Sequence, residues 1–330
     1  MRHEFLPDYT TIANMVSSFK EKLRRSYKEL LASIYEETGD KRAQILLEKI
    51  EVLNKEYFSS ILTFYYHHTV QAINRGDSDI GNMMSKIELA LDFSRHNTDR
   101  FLVYATVPST VSKEILNVTG NSILNYEILL RGLSPSKELK ARNNLEKGIA
   151  YLHRSCPRLL KNIQTLVDRV FFVGNDSSEE SHVLSVTGIR TQGLIFINGE
   201  YDSSWVFLLD KYVHEAAHAY LFLINQEELL VLNDQKDLYP SPLREDERPM
   251  EGVYHAVFVL MNLLVALGMI LEKEELVESD KKEIEAFIEN YSNGLRKGYA
   301  TVMQQGELTP VAKELLEEGY ETVQQLYPVL

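Results

Sequence analysis

The chain has 330 residues, of which 44% are hydrophobic and 25% are charged, a composition typical of soluble globular proteins. Its formal net charge of -13 argues against a nucleic-acid partner, because such binding draws most of its affinity from clustered lysine and arginine. A single cysteine, Cys156, excludes an intrachain disulfide, and no signal peptide is visible at the N-terminus, so we expect a cytoplasmic protein.

The first half of the chain has the periodicity of helices. From residue 11 to residue 74 apolar side chains recur at intervals of three and four, and a Gly39-Asp40 turn separates two long segments, which predicts an antiparallel helix pair. The run "RLLKNIQTLVDRVFFV" predicts a further helix. His67 and His68 point in different directions on a helix, so we interpret them as packing or surface residues rather than metal ligands.

The stretch "HVLSVTGIRTQGLIFING" differs in kind, because Val, Ile, Thr and Phe dominate it and Gly188 and Gly193 bracket a turn. This pattern predicts a β-hairpin. Its second arm, "LIFIN", could pair with an extended peptide substrate at the edge of the hairpin.

The next helix contains the motif "HEAAH" at positions 214 to 218. A serine at 203 or 204 can cap the helix, and apolar spacing extends it from about Ser204 to Asn225. Two histidines at i and i+4 project in the same direction and can bind one metal ion, so His214 and His218 are candidate ligands.

A third ligand is expected from the helix after Pro249, where Glu251 and His255 lie one turn apart on one face. The sequence leaves open which of the two is the third ligand. The same helix contains "VYHAVFVLMNLLVALGMI", which is long enough to span a membrane, but its polar residues favour a helix buried inside protein.

Two kinds of metal site remain compatible with these residues. A zinc peptidase of gluzincin type would use Glu251 as third ligand and Glu215 as general base for a zinc-bound water. A site with His255 suits zinc, or iron with open positions. Completion of the metzincin type is excluded, because Leu221 and Ile224 stand where glycine and histidine are needed.

The loop "SPLREDERPMEG" leads into the helix that carries the third ligand. Arginine is well suited to bidentate binding of a carboxylate, so Arg244 and Arg248 could bind the distal carboxylate of a 2-oxo acid. The alternative is that both pair with the acidic residues at 245, 246 and 247 as surface salt bridges.

Together, "HEAAHAYLFLIN" and "YPSPLREDERPMEGVYHAVFV" resemble the HExxH-containing peptide-modification family, the 2-oxoglutarate-dependent peptide β-hydroxylases encoded beside ribosomally made peptide natural products. The resemblance is concentrated in residues 204 to 264. At the position of Glu247 the family more often has proline.

The resemblance implies a non-haem iron dioxygenase, with His214, His218 and His255 as ligands of Fe(II) and Arg244 or Arg248 binding 2-oxoglutarate. Its substrate would be a precursor peptide, hydroxylated at a side-chain β-carbon. Glu215 would then orient a ligand or handle protons. A zinc metallopeptidase and a non-catalytic peptide-binding module are the alternatives.

Two further helices close the chain, one opening at Asp280 with Glu283 in a capping-box relation and one at Thr309-Pro310. The predicted fold is mainly α, a bundle-like set of helices with a small β-hairpin packed near the metal-binding helix. We divide it into an N-terminal helical region, 1–173, and a catalytic region, 174–330, with one continuous domain as the alternative. The residues say nothing about oligomeric state.

Overall fold

A computed structural model describes residues 3–53, 58–76, 79–97, 99–102, 104, 107–123, 130–175, 183–244 and 246–327, without the side chains of 117–123. The described residues are mainly helical, with eleven helices and only small sheets, which confirms the predicted fold class. The helices are α1 (Tyr9–Thr38), α2 (Lys41–Glu51), α3 (Ser60–Asn74), α4 (Ile80–His96), α5 (Ser109–Ile123), α6 (Pro135–Ser155), α7 (Pro157–Leu166), α8 (Trp205–Asn225), α9 (Met250–Lys273), α10 (Glu278–Gln305) and α11 (Pro310–Leu326). The strands are β1 (Phe101–Leu102), β2 (Leu130–Gly132), β3 (Arg169–Asn175), β4 (Ser185–Val186), β5 (Leu194–Asn198), β6 (Leu238–Tyr239) and β7 (Arg248–Pro249).

The chain divides into two compact units that do not follow the predicted boundary at residue 173. The HExxH unit comprises Met1–Ile12, Ala141–Leu166 and Ser203–Leu330, and the sheet unit comprises Ala13–Lys140 and Val167–Asp202. The hairpin therefore belongs with the N-terminal helices, while α7 joins the HExxH helix. Strand pairing between distant segments sets this division, which a boundary chosen along the sequence cannot capture.

In the sheet unit, α1 to α3 follow the predicted periodicity. Gly39 ends α1 with a φ of 67°, a left-handed conformation that favours glycine, and Asp40 then caps α2 by accepting a hydrogen bond from the backbone nitrogen of Arg42 at 2.9 Å. The second predicted segment is two helices, α2 and α3, rather than one. Tyr27 and Leu31 are among the fully buried side chains of the core that these helices form.

The strand β3 corrects the prediction of one helix over "RLLKNIQTLVDRVFFV". The helix α7 ends at Leu166, and Arg169–Asn175 form the strand at the centre of the sheet, paired with β1 and β5 in parallel and with β2 in antiparallel orientation. Its residues Val170 to Val173 are all buried. A strand that is buried on both faces lacks the alternation of apolar and polar residues that marks a half-buried strand, so periodicity does not distinguish it from a buried helix. The β-branched and aromatic residues of this run favour the strand.

The predicted hairpin is confirmed, because β4 and β5 pair in antiparallel orientation with Val186 opposite Phe196. It is part of a larger sheet, however, since β5 also pairs with β3 along its whole length. With neighbours on both sides, "LIFIN" has no open edge for a peptide, so the hypothesis of strand addition there is wrong. The predicted packing of the hairpin near the HExxH helix stays a prediction.

In the HExxH unit, α9 is the central helix and packs against α8, α10 and α11. Within the described residues it is long and apolar enough to cross a membrane, yet most of that apolar stretch is buried inside the protein. This burial is compatible with the core helix of a soluble protein, as predicted. The cytoplasmic location stays a prediction.

The ends of the helices in this unit test the capping predictions. Ser204 caps α8 by accepting from the backbone nitrogen of Phe207 at 3.0 Å, and Thr309 caps α11 by accepting from Ala312 at 3.4 Å, as predicted. The capping box at Asp280 is wrong, because α10 begins at Glu278. Asp280 instead accepts a hydrogen bond from the indole nitrogen of Trp205 at 2.6 Å, so it joins α10 to α8.

Candidate metal centre

One stripe of α8 carries three aromatic rings at successive turns, His214, His218 and Phe222. The ring centroids of His214 and His218 are 5.0 Å apart, and the ring of Phe222 stacks on that of His218 at 6.2 Å. The spacing of four residues along the helix brings these side chains together. The HExxH motif thus places both of its imidazoles at one site on the helix surface, as its spacing predicts.

His255 of α9 contacts the rings of this stripe. Its Nδ1 lies 3.1 Å from Nδ1 of His218, and the two rings are stacked with centroids 5.4 Å apart. Two imidazole nitrogens bound to one ion at about 2.0–2.1 Å lie roughly 3 Å apart, which is the separation found here. Phe222 also contacts His255, at 5.6 Å between ring centroids, so it forms an apolar wall beside both histidines.

Burial keeps the three histidines in their neutral form. Burial lowers the pKa of His255 to about 3, with the charge of His218 as a smaller cause, and burial together with Arg248 lowers the pKa of His218 to about 4. Burial also lowers the pKa of His214 well below its ordinary value. Each is therefore neutral near pH 7, and the neutral imidazole is the form that binds metal.

One nitrogen in the cluster lacks a partner. Nε2 of His255 is buried and makes no hydrogen bond with any described residue, although leaving a buried polar atom unpaired costs about 1–3 kcal/mol. This nitrogen is not the one that faces His218, so the fit to a bound metal ion at His218 and His255 rests on the 3.1 Å separation of their Nδ1 atoms. No group of three His, Cys, Asp or Glu side chains in the described part of the chain is already arranged to hold an ion, so His214 as third ligand stays a prediction.

Glu251, the alternative third ligand, is engaged elsewhere. Its Oε1 accepts from Nδ2 of Asn225 at 3.4 Å, and its Oε2 accepts from Nε2 of Gln235 at 3.0 Å. These amides connect the end of α8 and the following loop to the start of α9. The carboxylate therefore joins the elements that carry the histidines, whereas the contact with His218 is made by His255.

The positive charges of both predicted arginines act on histidines of the motif. The positive charge of Arg244 contributes to the lowered pKa of His214, and that of Arg248 contributes to the lowered pKa of His218. Arg248 also forms a 3.5 Å ion pair with Asp246, as the salt-bridge alternative expects. Arg244 is exposed and forms no ion pair with a described residue, and residue 245 lies outside the description.

The loop that carries Arg244 is held by close packing against α10. A Cβ added at Gly298 would lie 2.7 Å from Cγ2 of Val257 and 3.0 Å from Cβ of Pro242. Because Gly298 has no side chain, Pro242 can approach α10 at this position. Gly294 lets Leu243 approach the same helix in the same way. This packing fixes the loop two residues before Arg244.

Two acidic residues of α8 are buried. Glu215 is only 3% exposed, and its predicted role remains a prediction. Asp210 is fully buried. It accepts a 2.6 Å hydrogen bond from Tyr291 and lies 2.7 Å from Nζ of Lys211.

Phe222, Lys211 and Tyr291 belong to no motif predicted from the sequence. The spacing of four from His218 is a signal that could have identified Phe222. No local signal identifies Tyr291, because it meets Asp210 across 81 positions of sequence.

Models of known protein families give no match to this chain, and a search of curated proteins finds no relative.

Proposed function

We propose that this chain is an Fe(II)- and 2-oxoglutarate-dependent hydroxylase of a precursor peptide. The observation that carries the proposal is the pairing of neutral, buried imidazoles with two arginines. His218 and His255 face each other at 3.1 Å between nitrogens, and positive charge from Arg244 and Arg248 reaches the two histidines of the motif. An anionic cosubstrate beside a metal ion needs such an arrangement.

The neutral ligands suit this chemistry. In the proposed reaction dioxygen and 2-oxoglutarate are converted to succinate and carbon dioxide while one oxygen atom enters a C–H bond of the peptide, and Fe(II) supplies the redox chemistry. His214, His218 and His255 would hold the ion through neutral nitrogens. Arg244 or Arg248 would bind the distal carboxylate of 2-oxoglutarate through a bidentate contact, and Phe222 would exclude water from one side of the histidines.

The zinc-peptidase alternative has less support. A gluzincin-type site needs Glu251 as ligand, yet both oxygens of this carboxylate accept hydrogen bonds from amides. The peptide substrate and the β-carbon rest on the resemblance described above. The choice of iron over zinc rests on the resemblance and on the two arginines.

The test is anaerobic reconstitution of metal-free protein with Fe(II), followed by 2-oxoglutarate and then air. We expect a visible charge-transfer band when 2-oxoglutarate binds, and succinate release after air is admitted, even without the peptide. Zinc-loaded protein is the matched control and should give neither.

Other outcomes would support the alternatives. Zinc-dependent cleavage of a peptide without succinate release would overturn the proposal in favour of a peptidase. Peptide binding that survives His214→Ala, with no turnover by any metal form of the native chain, would favour a non-catalytic binding module.

A further inference from the structure

Exposed leucines are concentrated in the loop that joins the two histidine helices. In residues 226–239, called here the leucine loop, Leu229 is 64% exposed and Leu232 and Leu238 are each 54% exposed. Of the other leucines described as exposed, Leu243 follows the same loop, and only Leu89 and Leu139 lie elsewhere. Single exposed apolar residues are ordinary, but a group within one short segment indicates a binding surface.

Backbone hydrogen bonds hold the leucine loop in place. The backbone nitrogen of Leu230 donates to Oδ1 of Asn225 at 3.2 Å, and its oxygen accepts from Thr309 at 3.1 Å. The backbone nitrogen of Leu232 donates to Glu307 at 2.8 Å. Leu230 itself is only 1% exposed, so one leucine of the loop is already buried while its neighbours remain exposed.

Two connections place this loop next to the histidines. Gln235 donates to Glu251, one turn before His255 on α9, at 3.0 Å. The strand β6, which contains Leu238, pairs with β7, which contains Arg248, the residue whose charge lowers the pKa of His218. A ligand held along the leucine loop would therefore lie close to the candidate metal centre.

The charge of the loop indicates the kind of ligand. Glu227, Glu228, Asp234 and Asp237 are all exposed, and Lys236 is the one basic residue among 226–239. Three apolar side chains interleaved with acidic ones complement a peptide whose apolar residues alternate with lysine or arginine. A loop fixed before binding also keeps the entropic cost of association low.

We infer that the leucine loop is the docking surface for the substrate peptide, and that it selects a segment with apolar and basic residues. This inference rests on the proposed function for the identity of its ligand as a substrate. The binding itself needs no metal, so it can be measured separately.

The test measures binding of labelled model peptides to metal-free protein by fluorescence anisotropy. The probe is a fluorescein-labelled peptide of Lys-Leu-Ser repeats, and the matched probes contain Glu-Leu-Ser or Lys-Ser-Ser repeats. We expect the first probe to bind about tenfold more tightly than either of the others. The triple variant Leu229→Ser/Leu232→Ser/Leu238→Ser should weaken its binding by about tenfold or more.

The matched control is Leu139→Ser/Val277→Ser, which replaces residues that are 59% and 63% exposed outside the loop and should leave binding unchanged. Binding is measured without iron and without 2-oxoglutarate, so a failure of the oxygenase assay and a failure of docking are distinguishable. Circular dichroism checks that each variant is folded.

Three results would overturn the inference. The triple variant could bind like the native chain, or the acidic probe could bind as well as the basic one. Sedimentation velocity could instead show a dimer that the triple variant abolishes, which would assign the leucines to contact with a second copy of the chain.

Discussion

His68 in the sheet unit and His218 in the HExxH unit have different partners. In the sheet unit, Nε2 of His68 lies 3.0 Å from Oε1 of Glu114. The same oxygen accepts from Lys86 at 2.5 Å, and Oε2 of this carboxylate accepts from Tyr65 at 2.9 Å. Burial raises the pKa of Glu114, but these hydrogen bonds together bring it below its ordinary value. His68 thus has a carboxylate partner that is stabilised in its charged form.

In the HExxH unit, His218 meets another imidazole instead, and the charges that act on the motif histidines come from His218 itself, Lys211, Arg244 and Arg248. Among the described residues, no carboxylate contributes to the shifts in the pKa values of these histidines. The difference teaches that the partner of an imidazole decides what else that imidazole can bind. A neutral histidine that faces another histidine, and not a carboxylate, has a ring nitrogen that can bind a metal ion. Nearby positive side chains favour the binding of an anion beside that ion.

The largest expected effect tests this difference directly. We expect His255→Ala to reduce iron content from about one ion per chain to nearly none, because it removes the nitrogen that faces His218. His68→Ala should retain the iron, since its partner is Glu114. Elemental analysis of both reconstituted proteins measures this, and equal iron content in the two would break the comparison.

The arginines are expected to act on the cosubstrate rather than on the metal. Replacing the arginine that binds 2-oxoglutarate by lysine, in Arg244→Lys or Arg248→Lys, should raise KM for 2-oxoglutarate by about tenfold or more, because a bidentate contact is lost. Iron content should not change. If both variants keep the native KM for 2-oxoglutarate in succinate assays, neither arginine binds the cosubstrate, and the proposed role of the nearby positive charges is wrong.

The low pKa values of the site also predict how stability depends on pH in metal-free protein. Histidine titrates near 6.5 in the unfolded chain, but His218 and His255 do so at about 4 and about 3 when folded. Between pH 6.5 and pH 4 the unfolded chain binds more protons, so the free energy of unfolding falls as pH falls, by about 1.4 kcal/mol per pH unit for each proton.

The measurement is denaturant unfolding across this pH range. His255→Ala should reduce the pH dependence relative to the native chain, whatever its effect on stability at pH 7. If the free energy of unfolding depends on pH equally in the variant and the native chain, His255 has the same pKa in the folded and unfolded states.

The smallest effect is expected at Glu251. Glu251→Gln should leave iron content almost unchanged, because this residue accepts hydrogen bonds from Asn225 and Gln235 and is not the proposed ligand. Glu251→Ala removes both acceptors and should lower stability by about 0.5–1.5 kcal/mol, because the bond from Gln235 is exposed. Loss of metal in Glu251→Gln, measured by elemental analysis, would revive the peptidase alternative.

Features set by neighbouring residues were predictable from the sequence. Apolar spacing and Ser204 gave the bounds of α8, Thr309 and Pro310 gave the start of α11, and the i, i+4 spacing placed His214 beside His218. In each case the information lies within one or two helical turns, because hydrogen bonding and side-chain contact in a helix are local.

Features set by distant contacts were not predictable. The run after Leu166 is a strand because β1 and β5 pair with it, and the two units divide the chain discontinuously for the same reason. Asp280 fits a capping box by sequence, yet it binds Trp205 from 75 positions away.

The candidate site shows the same limit within a single helical turn. The sequence determined that two imidazoles share one face of α8, and that Glu251 and His255 share one face of α9. Tertiary structure alone decided between them: amides from α8 and the leucine loop take both oxygens of Glu251, and helix packing brings His255 to His218. Local spacing fixes which residues share a face, whereas the packing of one helix on another fixes which of them meet.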